Sequence, residues 1–256
     1  MPLQSLMNRL ASLFMALILA GVPTAQAASN EMLIYCGITM IRPMTEIARA
    51  FEQKEKVRIT LSQGGSEDLY QSLKRSRLGD LYLPGEPTYR SKYLAEGLLE
   101  DVVTVGHNQL AIMVRKGNPK AVKGDARELL RKDLAVIIGN AESGSVGKES
   151  RDVLGALGIY EQVVDASVFL ASDSRGLMHA MKNGEADAIL NWRAVGFFPD
   201  NAKAVDVVDL DPKLAKPQAL LLNLLAFSKQ KEMARRFMKF ASGPKGRAIF
   251  KQYGFL

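Results

Sequence analysis

Three short loops of the chain join small residues and a hydroxyl to the start of an amphipathic segment: Gly37-Ile38-Thr39, Gly64-Gly65-Ser66 and Gly144-Ser145-Val146. The first N–H groups of a helix have no intrahelical acceptor and lie at the positive end of its dipole. Such a loop therefore holds an oxyanion without a full counter-charge. Helix capping explains a Ser or Thr at any one of these places. Three such loops, each following a strand, are better explained by one shared anionic ligand.

Other chemistries find less support. A hydrolase needs a nucleophile with a base in reach, and Ser66 has no evident His or Lys partner. The single cysteine, Cys36, and the two histidines, His107 and His179, are too widely spaced for a zinc site or a Cys/His pair. Glu67 and Asp68 open a helix, where carboxylates complement the dipole, and neither they nor Asp80 is assigned catalysis. Tyr82 edges the same region, while the helical spacing of Tyr89 and Tyr93 favours core contact.

The elements that position the loops alternate in type. Leu33-Ile-Tyr-Cys36 reads as a buried strand, followed by a helix over 40–54 with Pro43 in its first turn. A second strand (57–62), a helix (67–77), a third strand (80–83) that ends at Pro84-Gly85, and a helix (88–96) continue the alternation. A further strand at 111–114 ends at Lys116-Gly117-Asn118-Pro119. Beyond it come strands at 134–138, 168–170 and 188–191 with helices at 145–157 and 175–183 between them. A helix over 229–241, with Met233, Phe237 and Phe240 on one face, packs the final segment onto this framework. The pattern predicts two βαβ blocks joined near 108–114 and again near 205–225, with strand ends facing a common cleft.

The first segment points to export. Arg9 precedes an apolar run over 10–22 and then Ala25-Gln26-Ala27, a small-residue cleavage site, so residues 1–27 read as a signal peptide. The run is too short for a stable membrane-spanning helix. With one cysteine there is no internal disulfide, so packing must supply stability. The formal net charge of +7 is scattered through helical segments without a basic-aromatic stripe, which argues against nucleic acid as a partner.

Longer stretches carry a specific resemblance. They are residues 33–40, Ser62-Gln-Gly-Gly-Ser66, Gly79-Asp80-Leu-Tyr-Leu83, residues 108–117, 145–158, Ser172-Asp-Ser-Arg175-Gly176 and the ending from Ser242 to Phe255. Together they make the chain similar to the periplasmic molybdate-binding proteins of ABC importers, within the type II solute-binding proteins, over essentially all the sequence after residue 27. The resemblance implies an α/β, two-lobed periplasmic binding protein type II fold, each lobe a mostly parallel sheet flanked by helices and joined to the other by hinge strands. Lobe 1 is expected over 28–109 plus 215–256, and lobe 2 over 110–214.

It also implies a site in which hydroxyls from Thr39 and Ser66, amides near Ser145 and Val146, and Ser174 surround a tetrahedral dianion. Where the family has a Tyr hydroxyl this chain has Asn191, followed by Trp192 and Arg193. Asn offers a donor with shorter reach, and Arg193 either adds a bidentate contact or forms an ion pair of its own. Gly65 adds backbone to the Ser66 loop; Cys36 either lines the pocket or is a small buried apolar group. Trp192 reads as lobe packing.

The expected function is capture of a small oxyanion, molybdate or tungstate, in the periplasm and delivery to an ABC permease, without catalysis, cofactor or direct cation site. A monomer is expected. The alternative is a periplasmic sensor of another anion (phosphate or phosphonate, an arsenic oxyanion or a small organic acid) that partners a membrane histidine kinase.

Overall fold

A computed structural model describes residues 31–256; the expected signal peptide and its cleavage site lie outside the described residues. The chain begins β1 (Glu31–Gly37), α1 (Ile41–Glu55), β2 (Arg58–Gly64), α2 (Ser66–Ser76), β3 (Leu81–Leu83), α3 (Thr88–Tyr93) and β4 (Leu99–Asn108). It continues through β5 (Leu110–Arg115), β6 (Val136–Gly139), α4 (Ser145–Ala156), α5 (Tyr160–Ala166), β7 (Leu170–Ala171), α6 (Ser174–Lys182), β8 (Ala188–Trp192), α7 (Arg193–Gly196) and β9 (Val205–Asp209). It closes with β10 (Gln218–Leu225), α8 (Lys231–Ser242) and α9 (Pro244–Gln252).

Two five-stranded sheets result, ordered β2-β1-β3-β10-β4 and β7-β6-β8-β5-β9. Pairings of β1 with β2 and β3, and of β6 with β7 and β8, are parallel. In each sheet one strand opposes both its neighbours: β10 between β3 and β4, and β5 between β8 and β9. Both are the strands that arrive from the other sheet, so each crossing supplies an interior strand to the sheet it enters. Helices on both faces explain why β5, β6 and β8 are almost wholly buried and read as mostly apolar runs.

The helices bury regular stripes. Met44, Ile47, Ala48 and Phe51 of α1 are buried, and so are Ala234, Phe237, Met238 and Ala241 of α8, both at i, i+3, i+4, i+7 spacing. The α8 stripe is thus displaced from the expected Met233-Phe237-Phe240 face; Met233 and Phe240 are only partly buried. Phe51 meets Phe237 edge to face, with centroids 5.1 Å apart, locking the two helices together. A single large core cluster includes residues of both sheets.

Only Gln109 separates β4 from β5. Its Nε2 donates to the carbonyl of Ala215 at 2.7 Å, tying the outgoing crossover to the returning one. No helix of the described residues is long and apolar enough to cross a membrane.

Candidate functional site

β1, β2 and β3 run parallel, so the loops after all three leave the same edge of the first sheet. The loops after β6 and β7 leave one edge of the second sheet in the same way. These edges confront each other. Thr39, Gly65, Ser66 and Gly85 from the first sheet and Ser145, Val146 and Ser174 from the second line one small cavity. Thr39, Ser66, Ser145 and Ser174 are all buried there.

The helix starts around the cavity are unusual in their caps. α2 and α4 have Gly65 and Gly144 at the N-cap, and neither makes a side-chain capping bond. Ser66 and Ser145 are therefore the first residues of their helices and not their caps, so capping does not explain these hydroxyls. Without a capping side chain the first-turn amides keep their capacity for an external acceptor. α6 differs: Asp173 Oδ1 accepts from the amides of Arg175 (2.8 Å) and Gly176 (2.9 Å), so this carboxylate in the lining is committed to its own helix.

The hydroxyls are held by specific partners. Thr39 Oγ1 donates to Ser174 Oγ at 3.2 Å, joining the two sheets' loops directly. Ser66 Oγ accepts from the Gly85 amide at 3.0 Å, and the Ser66 carbonyl accepts from Tyr82 Oη at 2.8 Å. Trp192 Nε1 donates to Ser145 Oγ at 3.3 Å. Gly85 sits where no side chain fits: a Cβ there would stand 2.1 Å from Ser145 Oγ and 3.6 Å from Ser66 Oγ. A Cβ on Gly65 would meet the Ser143 carbonyl at 2.8 Å. Glycine at both positions lets the two edges approach to this distance.

Three other positions singled out in the sequence lie outside the cavity lining. Asn191 is fully buried behind Ser174; its Nδ2 donates to the Ser174 carbonyl at 3.2 Å and its Oδ1 accepts from the Trp192 amide at 2.8 Å. It holds the turn that presents Ser174. Arg193 is bound to Asp209 at 2.7 Å and stacks over Phe197, 4.5 Å from the ring centroid. Cys36 is fully buried in the core, and burial pushes its thiol far above its ordinary range. Gly85 was legible only as the stop of a strand, and the role of Trp192 as a donor had no sequence signal beyond the residue type.

The acidic residues near the cavity point elsewhere. Although burial works to raise the Glu67 carboxyl, hydrogen bonds from Tyr93, Lys92 and Gln71 hold it below the usual carboxylate range. Asp80 accepts from the Leu33 amide and from Ser228 Oγ, pinning β1 to the segment after β10. Among the described residues, no group of three or more His, Cys, Asp or Glu could hold a metal ion. The cavity is thus a ring of hydroxyls and helix-start amides whose one carboxylate, Asp173, is turned to the amides of its own helix, a donor set for an anion.

Its interior is tight, with about 10 Å³ open to the centre of a water molecule, roughly what one water requires. An ion with several oxygens needs more room than this, so the loops from the two edges must part to admit it.

The chain is similar to known proteins over most of its length. The profile described as "Bacterial extracellular solute-binding protein" matches residues 32–256. A putative binding protein of Haemophilus influenzae is 25% identical over 91% of this chain and 94% of its own length. The molybdate-binding protein ModA of the same organism is 22% identical over 97% of this chain and 99% of its own. Among solved structures, the sulfate-binding protein SubI of Mycobacterium tuberculosis superposes with a TM-score of 0.79 at 18% identity, covering 88% of this chain and 86% of that one.

Proposed function

The chain belongs to the bacterial extracellular solute-binding protein family, and from that premise we propose that it captures a small tetrahedral oxyanion, molybdate or tungstate, in the ring formed by Thr39, Ser66, Ser145, Val146 and Ser174. The observation that carries this reading is the pair of glycine-capped helix starts, α2 and α4, brought from opposite sheets to one cavity lined by buried hydroxyls. Oriented dipoles and hydroxyls replace the water that the ion gives up. The molybdate-binding relative supports the choice of ion.

In this reading residues 28–109 with 215–256 form one lobe and 110–214 the other, and the crossovers at Gln109 and before β10 are the hinge. Ligand contacts shared by both lobes favour the closed arrangement, because they are complete only there. The protein binds and releases its ion unchanged, handing it in the periplasm to an ABC permease that recognises the closed form.

The experiment is a thermal-shift panel on the protein without residues 1–27, using molybdate, tungstate, sulfate, phosphate, arsenite and acetate. A ligand that binds the native state raises the melting temperature, and at equal concentration the tighter ligand raises it more. Molybdate and tungstate are expected to give the largest shifts. A larger shift with another anion would replace the ion and leave the capture role standing; no shift with any of them would remove the anion site itself.

A further inference from the structure

A second and larger cavity of about 290 Å³ adjoins the ring. Ile38, Thr39 and Ser174 line both spaces, and the hydrogen bond between the Thr39 and Ser174 hydroxyls lies where the two meet. A ligand that draws these two hydroxyls onto itself breaks that bond and joins the small space to the large one.

The large cavity has a different character from the ring. Ile41, Met178 and Phe198 give it an apolar wall, and Arg42, Arg175 and Lys182 give it cations. Arg42 reaches across from the first sheet's side, paired with Asp200 at 2.8 Å and lying 5.1 Å from the centroid of Phe198. Arg175 Nη2 donates to Gln63 Oε1 at 2.9 Å, again linking the two sides. Neither the apolar wall nor the cations serve an ion that fits entirely within hydroxyls and amides. Both suit a short organic arm that ends in an acid group.

We propose that the cavity next to the Thr39–Ser174 pair is a second subsite, and that the protein takes tetrahedral oxyanions bearing one short acidic arm, phosphonates or phosphate monoesters, as well as bare ones. This rests on the ring being the anion site. The head group occupies the ring, the arm passes between Thr39 and Ser174, and its terminal charge faces Arg175 and Lys182.

The test compares inorganic phosphate, molybdate and 3-phosphonopropionate by calorimetric titration of the wild type, Ile41→Trp and Lys182→Glu. Tryptophan at the partly buried position 41 fills the arm's space. The exposed Lys182 can be reversed in charge without touching the core, and it keeps the test open if the first variant does not fold. The wild type is expected to bind 3-phosphonopropionate about tenfold more tightly than phosphate. Each variant is expected to lose most of that advantage, with phosphate and molybdate changed by less than about twofold. If bare ions bind and the phosphonate gains nothing, or if the variants weaken all three alike, the subsite is overturned and the ring survives. If none of the three binds, the ring reading fails and the subsite with it.

Discussion

The hydroxyl of Thr39 donates to the hydroxyl of Ser174 at 3.2 Å, although the two residues follow strands of different sheets. Each is the other's partner in this arrangement, so any ligand must offer both a better one. An anion does, because hydrogen bonds to charged acceptors are stronger than those between neutral hydroxyls.

Removing either hydroxyl from the ring should therefore weaken capture. Thr39→Val and Ser66→Ala are each expected to cost about 1–3 kcal/mol of binding free energy, read by calorimetry with the best-bound oxyanion. Unchanged affinity in both would take these residues out of the site.

Gly85→Ala should separate folding from closure. A Cβ there would lie 2.1 Å from Ser145 Oγ and 2.9 Å from Ser145 Cβ on the opposite side, and rotating the hydroxyl away leaves the second contact in place. Ligand affinity is expected to fall at least about tenfold. The melting temperature without ligand should change little.

The cap of α6 is a stability feature. Asp173→Ala leaves the amides of Arg175 and Gly176 without their acceptor and should cost about 0.5–2 kcal/mol in denaturant unfolding. A stability equal to wild type would mean that solvent replaces the cap.

Stability should also depend on pH through Glu149. Burial pushes this carboxyl up to about 7; the hydrogen bond from Gln218 opposes the rise and the charge of Glu86 adds to it. The folded-state value lies above the unfolded one, so the contribution is whole below the unfolded carboxylate range and is lost as pH rises towards 7. The loss is on the order of 3 kcal/mol. Glu149→Gln should flatten the denaturation midpoint between pH 4.5 and 7; a slope unchanged from wild type would assign it to other groups.

The single thiol offers a check on packing. Cys36 is fully buried, and burial raises its pKa, so it is neither accessible nor nucleophilic in the native state. A disulfide reagent should react with no cysteine in the folded protein and with one per chain in guanidinium. Fast reaction before unfolding would contradict this core.

Much of this was legible in the sequence because local signals coincide with the elements. The loops at Thr39, Ser66 and Ser145 could be read from glycine and hydroxyl spacing, and the α1 stripe from its apolar period. The antiparallel insertion of β10 could not, since Gln218–Leu225 is a mostly apolar run, broken only by Asn223 after its first residue, and its partners, β3 and β4, are set by topology alone. Gly85 and Trp192 act on residues distant in sequence, and no one-dimensional pattern records who approaches whom. Asn191 looked like a ligand-facing donor, yet both its amide ends are taken up by backbone groups.

Because β10 is threaded between β3 and β4, the first sheet stays in two pieces until residues 218–225 exist. On the ribosome, nearly the whole chain must be made before those raw edges can be joined. Fragments ending short of residue 218 would carry two open edges able to pair with neighbouring chains, so they should aggregate during expression and not fold into half-molecules.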